Sequence, residues 1–436
     1  MIYLIFILGT ILRFISLNQS LWLDEATTAL VMNMSLPDFF NKFIINDFHP
    51  PLYYLVIHYW SNLFGTSEIM LRIPSVIFGV LTIYFLYLAV KESISLKIVK
   101  LKWPILPSLL LATSGLHIYY SQEARMYSMA TFLVTLIIYL YLKRKWILLS
   151  IFLPVLFLTD YLSMLILPVL VVYTLFYNRI ALKKIILSSI PLFLTVIFWL
   201  PFFLKQITSG IGVKVNSNAW WNILGSVSAK NILLIPVKFV IGRVTIDNKF
   251  IYLSLIFLLL LIVCYFISKA KNKFAWIWLG TPLILGIIIS FFIPTLTYFR
   301  YLFILPAFYL LLSESLNKTF VLVLLVLNLI TTGTYLFNPA FQREDWRSLS
   351  KLIGNEAIVF PSNSQKEALI YYGKENNIIT KEMIKKDQST VWLSRYVWDI
   401  FDPSDSTSKY IEGLGYNKVA EANFNGVVLY KYENRN

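Results

Sequence analysis

Charge is what this sequence has least of. Only 14% of its 436 residues are Asp, Glu, Lys or Arg, against about 25% in soluble domains. Hydrophobic residues make up 58% and the mean hydropathy is +0.69, which excludes an ordinary soluble domain and describes an integral membrane protein. Cysteine is nearly absent: Cys264 stands alone in an apolar run, so no intramolecular disulfide can form, and its expected role is that of a small packed hydrophobe. Also missing are a P-loop, a dinucleotide fingerprint, a zinc-ligand repeat and a nucleophile elbow, so no motif supports a nucleotide-sugar or ATP site. The first apolar run, Met1–Leu17, has neither the basic start nor the small-residue cleavage site of a signal peptide and reads as a retained span.

What charge there is carries information through its placement. The net charge is +15, yet from Asn338 onward 13 of the 38 basic and 13 of the 23 acidic residues cancel. The excess therefore lies wholly in the apolar part, where it marks cytoplasmic loops and makes nucleic acid an unnecessary partner. Runs long enough to cross a hydrocarbon core of about 30 Å fall near 2–18, 69–90, 103–120, 127–142, 146–159, 162–178, 185–204, 250–268, 274–293, 301–313 and 319–337. With the N-terminus in the cytoplasm, the even-numbered spans return to Lys91/Lys97/Lys100/Lys102, Lys143/Arg144/Lys145, Arg179/Lys183/Lys184, Lys269/Lys271/Lys273 and Lys318. Every such return obeys the positive-inside rule.

That parity puts the polar clusters on one face, outside the cytoplasm. Gln19–Tyr54 is the densest of them: it opens on L-W-L-D-E with Asp24 and Glu25 and closes on Asp47, His49 and Pro50-Pro51. Within it, Ser35-Leu36-Pro37-Asp38 has the form of a capping box, and 51–65 reads as a juxtamembrane helix, too short and too aromatic to span. Ser121-Gln122-Glu123-Ala124-Arg125-Met126-Tyr127 joins the third and fourth spans, Asp160 lies between the fifth and sixth, and Tyr298-Phe299-Arg300-Tyr301 precedes the tenth. The outer segment 205–249 adds Trp220-Trp221. Each cluster also has a bland reading: helix-terminal acids complement a dipole, a boundary arginine snorkels, His49 bonds backbone, Asp160 caps a span, and His58 and His117 are structural. Two arginines from separate loops on one face, however, can grip a phosphate in forked geometry. After Asn338, helix-like spacing of Trp346, Leu349 and Leu352 and strand-like A-I-V-F and N-G-V-V-L-Y-K-Y predict a small α/β domain over 339–436.

The ordered set W-L-D-E, H-P-P-L-Y-Y, L-R-I-P-S at 71–75, S-Q-E-A-R-M-Y and F-R-Y-L-F-I-L-P at 299–306 resembles the GT-C superfamily of membrane glycosyltransferases. The nearest branch is that of the protein mannosyltransferases and the lipid A aminoarabinose transferases (glycosyltransferase family 39 type). The resemblance implies a polytopic α-helical membrane protein with about eleven transmembrane helices over 1–338, juxtamembrane helices in the first outer loop, and the extracytoplasmic α/β domain over 339–436. It implies an inverting transfer of a sugar from a polyprenyl-phosphate donor, undecaprenyl or dolichyl, to an extracytoplasmic acceptor such as lipid A, a glycan or a protein, at a multi-pass plasma-membrane enzyme. Asp24 matches the catalytic aspartate and would act as general base. Arg125 and Arg300 fall where the lipid phosphate is bound. Glu25, His49, Glu123, Tyr127, Asp160 and Tyr301 are supporting or acceptor-side candidates. No cofactor is required by the sequence; a divalent metal is optional, with Glu25 and His49 its candidate ligands. Protein mannosyltransferases carry an acid shortly after the loop arginine, whereas 126–133 has none, which favours the broader prokaryotic branch. The rival classes are a lipid-linked glycan ligase or polymerase, which the 205–249 loop keeps open, and a lipid or sugar transporter, which would call for internal repeats.

Overall fold

The computed structural model describes residues 1–216, 224–361, 365–385 and 388–434, with the side chains of 212–216 outside that description; Trp220 and Trp221 lie outside the described residues. All eleven expected spans are helical. Glu68–Ser95, Arg179–Ile211, Lys249–Lys269, Lys273–Ser290 and Lys318–Phe337 are long and apolar enough to cross a membrane, and four shorter apolar helices accompany them. The chain is a multi-pass membrane protein, built from helices because hydrocarbon offers the backbone no other hydrogen-bond partner. Cys264 departs from expectation: it is exposed rather than packed.

Several spans are interrupted. The third is Leu106–Thr113 followed by Gly115–Ser121, with Ser114 extended between them (ψ 115°). A helix end leaves carbonyls without partners, and Arg13, wholly buried in the first helix, supplies them. It donates to Leu111 O (3.5 Å), Ala112 O (3.2 Å), Gly9 O (2.8 Å), Ser121 Oγ (3.1 Å) and His117 Nδ1 (2.6 Å). His117 is thus a structural residue, as expected. Gly79 makes the room: a Cβ there would run into Ser121 Oγ and stand 3.1 Å from Arg13 Nε. The tenth span begins as a 3-10 turn, Tyr298–Ile304, before the α-helix Leu305–Ser315.

The second span carries Pro74 inside the helix Glu68–Ser95. Proline cannot donate to the carbonyl four residues back, and Trp60 Nε1 takes its place at Met70 O (2.8 Å). The connection between the first and second spans holds the expected short helices. Leu23–Val31 follows the first span, Ser35 caps Leu36–Asp38, which continues as a π-helical turn Phe39–Ile44, and Leu52–Phe64 ends at Gly65 with φ 89°. Gln206 Nε2 secures the loop through Ile44 O (2.9 Å) and His49 O (3.1 Å).

Beyond Asn338 lies a five-stranded mixed sheet in the order β2-β1-β3-β5-β4, formed by β1 (Ala357–Val359), β2 (Ile378–Ile379), β3 (Thr390–Ser394), β4 (Tyr416–Phe424) and β5 (Val427–Asn434). Asn425-Gly426, both at positive φ, makes the tight turn of the β4–β5 hairpin, as the dipeptide favours. The expected helix is Trp346–Ile353, but its buried face is Trp346, Leu349 and Ile353 while Leu352 is exposed; a period of 3.6 residues selects position 353 over 352. The domain rests on the segments between the first and second spans. Arg347 Nη2 meets Glu68 Oε1 at 2.7 Å, and Tyr372 Oη accepts from Leu21 N at 2.9 Å. Substituting Gly79→Ala is expected to dislodge Ser121 and Arg13 and to destabilise the protein by about 1–3 kcal/mol, the usual cost of overpacking, read as a lowered melting temperature in detergent.

Candidate active site

Asp24 and Glu25 are neighbours in the first turn of Leu23–Val31, and the helix turns them to opposite environments. Glu25 is completely buried. Arg72 grips it with Nε on Oε1 (2.8 Å) and Nη2 on Oε2 (2.5 Å), Ala124 N donates to Oε1 (2.8 Å), and Arg343 Nε stands 3.3 Å from Oε2. The remaining Arg72 donors go to Leu17 O, Gln19 O and Ser20 O, so all five of its N–H groups are used. Burial alone would raise the Glu25 pKa; the two arginines and the Ala124 N–H overcome it and hold the carboxyl below its ordinary value.

Asp24 is open, with 39% of its side chain exposed, and faces Arg125 Nη2 at 3.5 Å. Arg125 is nearly buried. Its Nη1 donates to Tyr54 Oη (3.2 Å), which in turn donates to Asp47 Oδ2 (2.7 Å). Its Nη2 also lies 3.4 Å from His49 Nε2. Since a guanidinium only donates, Nε2 accepts and the imidazole hydrogen sits on Nδ1, 3.2 Å from Asp47 Oδ1. Burial pushes the Asp47 carboxyl up, but His49, Arg125 and the Tyr54 hydroxyl bring it below the ordinary value. Ser75, from the L-R-I-P-S stretch, donates to Arg125 O (3.3 Å) and meets Tyr53 Oη (2.8 Å).

The second arginine loop is packed on the first. Phe299 lies edge-on to Tyr127 (5.2 Å between ring centres) and tilted against Tyr120 (5.8 Å), and Tyr127 is within electrostatic reach of Arg125, Arg300 and Asp24 together. Arg300 is half-buried and donates to Pro294 O at 2.7 Å. Among the described residues no carboxylate pairs with it. A further cation, Arg243, is exposed, stacks over Tyr119 (4.4 Å) and donates to its hydroxyl (2.6 Å). Sequence reasoning missed it, as it missed Arg72 and Arg343.

Several candidates take other places. Asp160 Oδ2 accepts from Ser163 N (2.8 Å) and so caps the next helix. Tyr301 is buried against Gly286, where a Cβ would collide with its hydroxyl. The Glu25–His49 metal pair is not assembled: both Glu25 oxygens are taken, and His49 Nε2 is occupied by Arg125. Among the described residues no group of three His, Cys, Asp or Glu is arranged to hold a metal ion. Glu123, 1% exposed, has Oε2 at 3.4 Å from Arg343 Nη2, while Oε1 is buried without a partner. Burial, with Glu25 nearby, lifts it to about 7 against the opposing pull of Arg343, Arg125 and Arg243.

No family model and no curated protein matches the sequence. Among solved structures, ArnT from Cupriavidus metallidurans in the apo state aligns with a TM-score of 0.59 at 12% identity, over 98% of this chain and 97% of that one. The same protein bound to undecaprenyl phosphate gives 0.58 at 13%, with the same coverage. The Archaeoglobus fulgidus oligosaccharyltransferase tethered with an acceptor peptide gives 0.50 at 11%, over 100% of this chain and 74% of that one. The chain has the GT-C fold.

The two carboxylates are expected to separate on substitution. Glu25→Gln leaves Arg72 and Arg343 partly unpaired in a buried site and is expected to destabilise the fold by about 3–5 kcal/mol, seen as a large drop in melting temperature in detergent; Asp24→Asn is expected to melt near the wild type. Glu123 has a folded-state pKa of about 7, raised above its unfolded value. The folded protein therefore binds the extra proton, and the associated stability is full below the unfolded pKa and lost as pH rises through about 7. Melting curves of wild type and Glu123→Gln are expected to agree most closely in acid, with the wild type falling behind as pH rises toward about 7 and the gap levelling off above it.

Proposed function

We propose that the chain is an inverting glycosyltransferase that moves a sugar from a polyprenyl phosphate to an acceptor outside the cytoplasm, such as lipid A, a glycan or a protein. The observation that carries this is the open Asp24 carboxylate facing Arg125 at 3.5 Å, with the Arg300 loop packed against the same Tyr127. The fold shared with a protein that binds undecaprenyl phosphate agrees with it. In such a transfer the acceptor oxygen bonds to the anomeric carbon as the bond from that carbon to the phosphate oxygen breaks. The electron pair leaves on the phosphate, and the acceptor's proton goes to Asp24.

The residues divide the work by charge. A polyprenyl phosphate is already a good leaving group, so what remains is to take a proton and to stabilise the anion that departs. Arg125 and Arg300 would do the second, with exposed Arg243 beside them. Before the donor arrives, Arg125 pairs with Asp24; a phosphate drawing on Arg125 would free the carboxylate to take the acceptor's proton. The imidazole of His49 and the Tyr54–Asp47 pair fix the guanidinium's orientation, so its forked geometry is set in advance. The lipid chain would lie between spans below the outer loops, and the active face would be extracytoplasmic with the N-terminus inside. No step requires a metal ion.

In a purified transfer assay with an undecaprenyl-phosphate sugar, Asp24→Asn is expected to abolish turnover while leaving donor affinity within a few-fold; normal turnover would remove the base assignment. Arg125→Ala and Arg300→Ala are each expected to weaken binding of undecaprenyl phosphate by about tenfold or more, as loss of a charge-assisted contact does, and unchanged binding in both would remove the clamp.

A further inference from the structure

Arg343 belongs to the C-terminal domain but ends inside the membrane domain's site. It is 5% exposed. Its backbone N is held by Gln19 Oε1 (3.1 Å), and its guanidinium donates to Tyr335 Oη (3.2 Å) and Tyr119 O (3.2 Å) and lies over the Tyr119 ring (4.4 Å). Between these it bridges two carboxylates, Glu25 Oε2 at 3.3 Å and Glu123 Oε2 at 3.4 Å. Glu25 does not depend on it alone, because Arg72 and Ala124 N hold that carboxylate from other sides. Glu123 does: Arg343 is the only ion-pair partner it has among the described residues.

Two unmet groups show what the bridge prevents. Glu123 Oε1 and Arg125 Nε are both buried without a partner, they stand two residues apart in one loop, and they attract each other. An unpartnered buried acceptor and an unpartnered buried donor of opposite charge would gain by meeting. If they met, the guanidinium would turn from Asp24 toward Glu123, and the proposed base and the phosphate grip would lose their alignment together.

We propose that Arg343 is a positioning residue for the active site: by holding Glu123 on the side of Glu25, it keeps that carboxylate from capturing Arg125, so the C-terminal domain sets the geometry of the Asp24–Arg125 pair. The kinetic consequence rests on the glycosyltransfer proposed above; the geometric one does not. A packing role and a charge-holding role differ in their dependence on Glu123, so the test is a double-mutant cycle in the full-length protein, Arg343→Met with and without Glu123→Gln. Arg343→Met is expected to lower kcat/KM for transfer from the undecaprenyl-phosphate sugar by about tenfold or more with Glu123 present and by less than about threefold with Gln at 123, the size of coupling seen between contacting charged groups. In a structure of Arg343→Met, Arg125 is expected on Glu123 and away from Asp24. Should Arg343→Met not be recovered folded, Arg343→Lys, which keeps the charge but cannot fork across both carboxylates, carries the same cycle with the same expected direction. Equal losses in the two backgrounds, or an Asp24–Arg125 separation that stays at 3.5 Å in the variant, overturns the proposal. Absence of transfer by the wild type would instead defeat the functional reading and leave the structural readout to decide.

Discussion

A carboxylate taken wholly out of water needs its charge matched and its lone pairs filled, and Glu25 has both done for it by three separated parts of the chain. Arg72 comes from the second span, Ala124 from the loop after the third, and Arg343 from the C-terminal domain. Breaking such a pair strands a buried charge at a cost of several kcal/mol, so the knot admits one arrangement of these parts. It spends Arg72 completely, on the carboxylate and on the carbonyls of residues 17, 19 and 20. The backbone leading into Leu23–Val31 is thereby fixed, and Asp24, one residue before the knot, is presented outward to Arg125.

Glu25 is thus the frame, and Asp24 the proposed base. Their adjacency in W-L-D-E marks the stretch but does not separate the roles, because which of two neighbouring acids turns inward depends on Arg72 and Arg343, 47 positions on and far beyond. The arginines of the loops were legible as interruptions of apolar runs, and the packing of Phe299 on Tyr127 joins them. Arg72 was hidden inside what reads as a span, and Arg343 in a domain whose mixed charges look like solvated surface. Asp160 and Tyr301 stood out by position alone; one caps a helix and the other fills the space left by Gly286.

The spans were legible for a different reason. Hydrocarbon demands about twenty apolar residues in a helix per crossing, a requirement that depends on no distant residue, and each expected segment is helical. What hydropathy does not carry is how a span is interrupted. The break at Ser114 and the burial of Arg13 support each other: free carbonyls at a helix end accept a cation's hydrogens, and the buried cation finds acceptors there. The proline inside the second span and the Trp60 indole that takes over at Met70 O are coupled in the same way. At each of these points a polar group within the apolar domain is matched by partners outside its own helix, and the site is the largest instance of that rule.

A structure of the protein with undecaprenyl phosphate tests the central claim most directly, that the frame around Glu25 sets Asp24 opposite a phosphate site built from the two loops. The phosphate oxygens are expected within hydrogen-bond distance of the Arg125 guanidinium and on the Arg300 side of Tyr127, with Glu25 still held by Arg72 and Arg343 and Asp24 facing the position of the anomeric carbon. A phosphate seated away from Arg125, or a Glu25 carboxylate released from its arginines when the lipid binds, would contradict it.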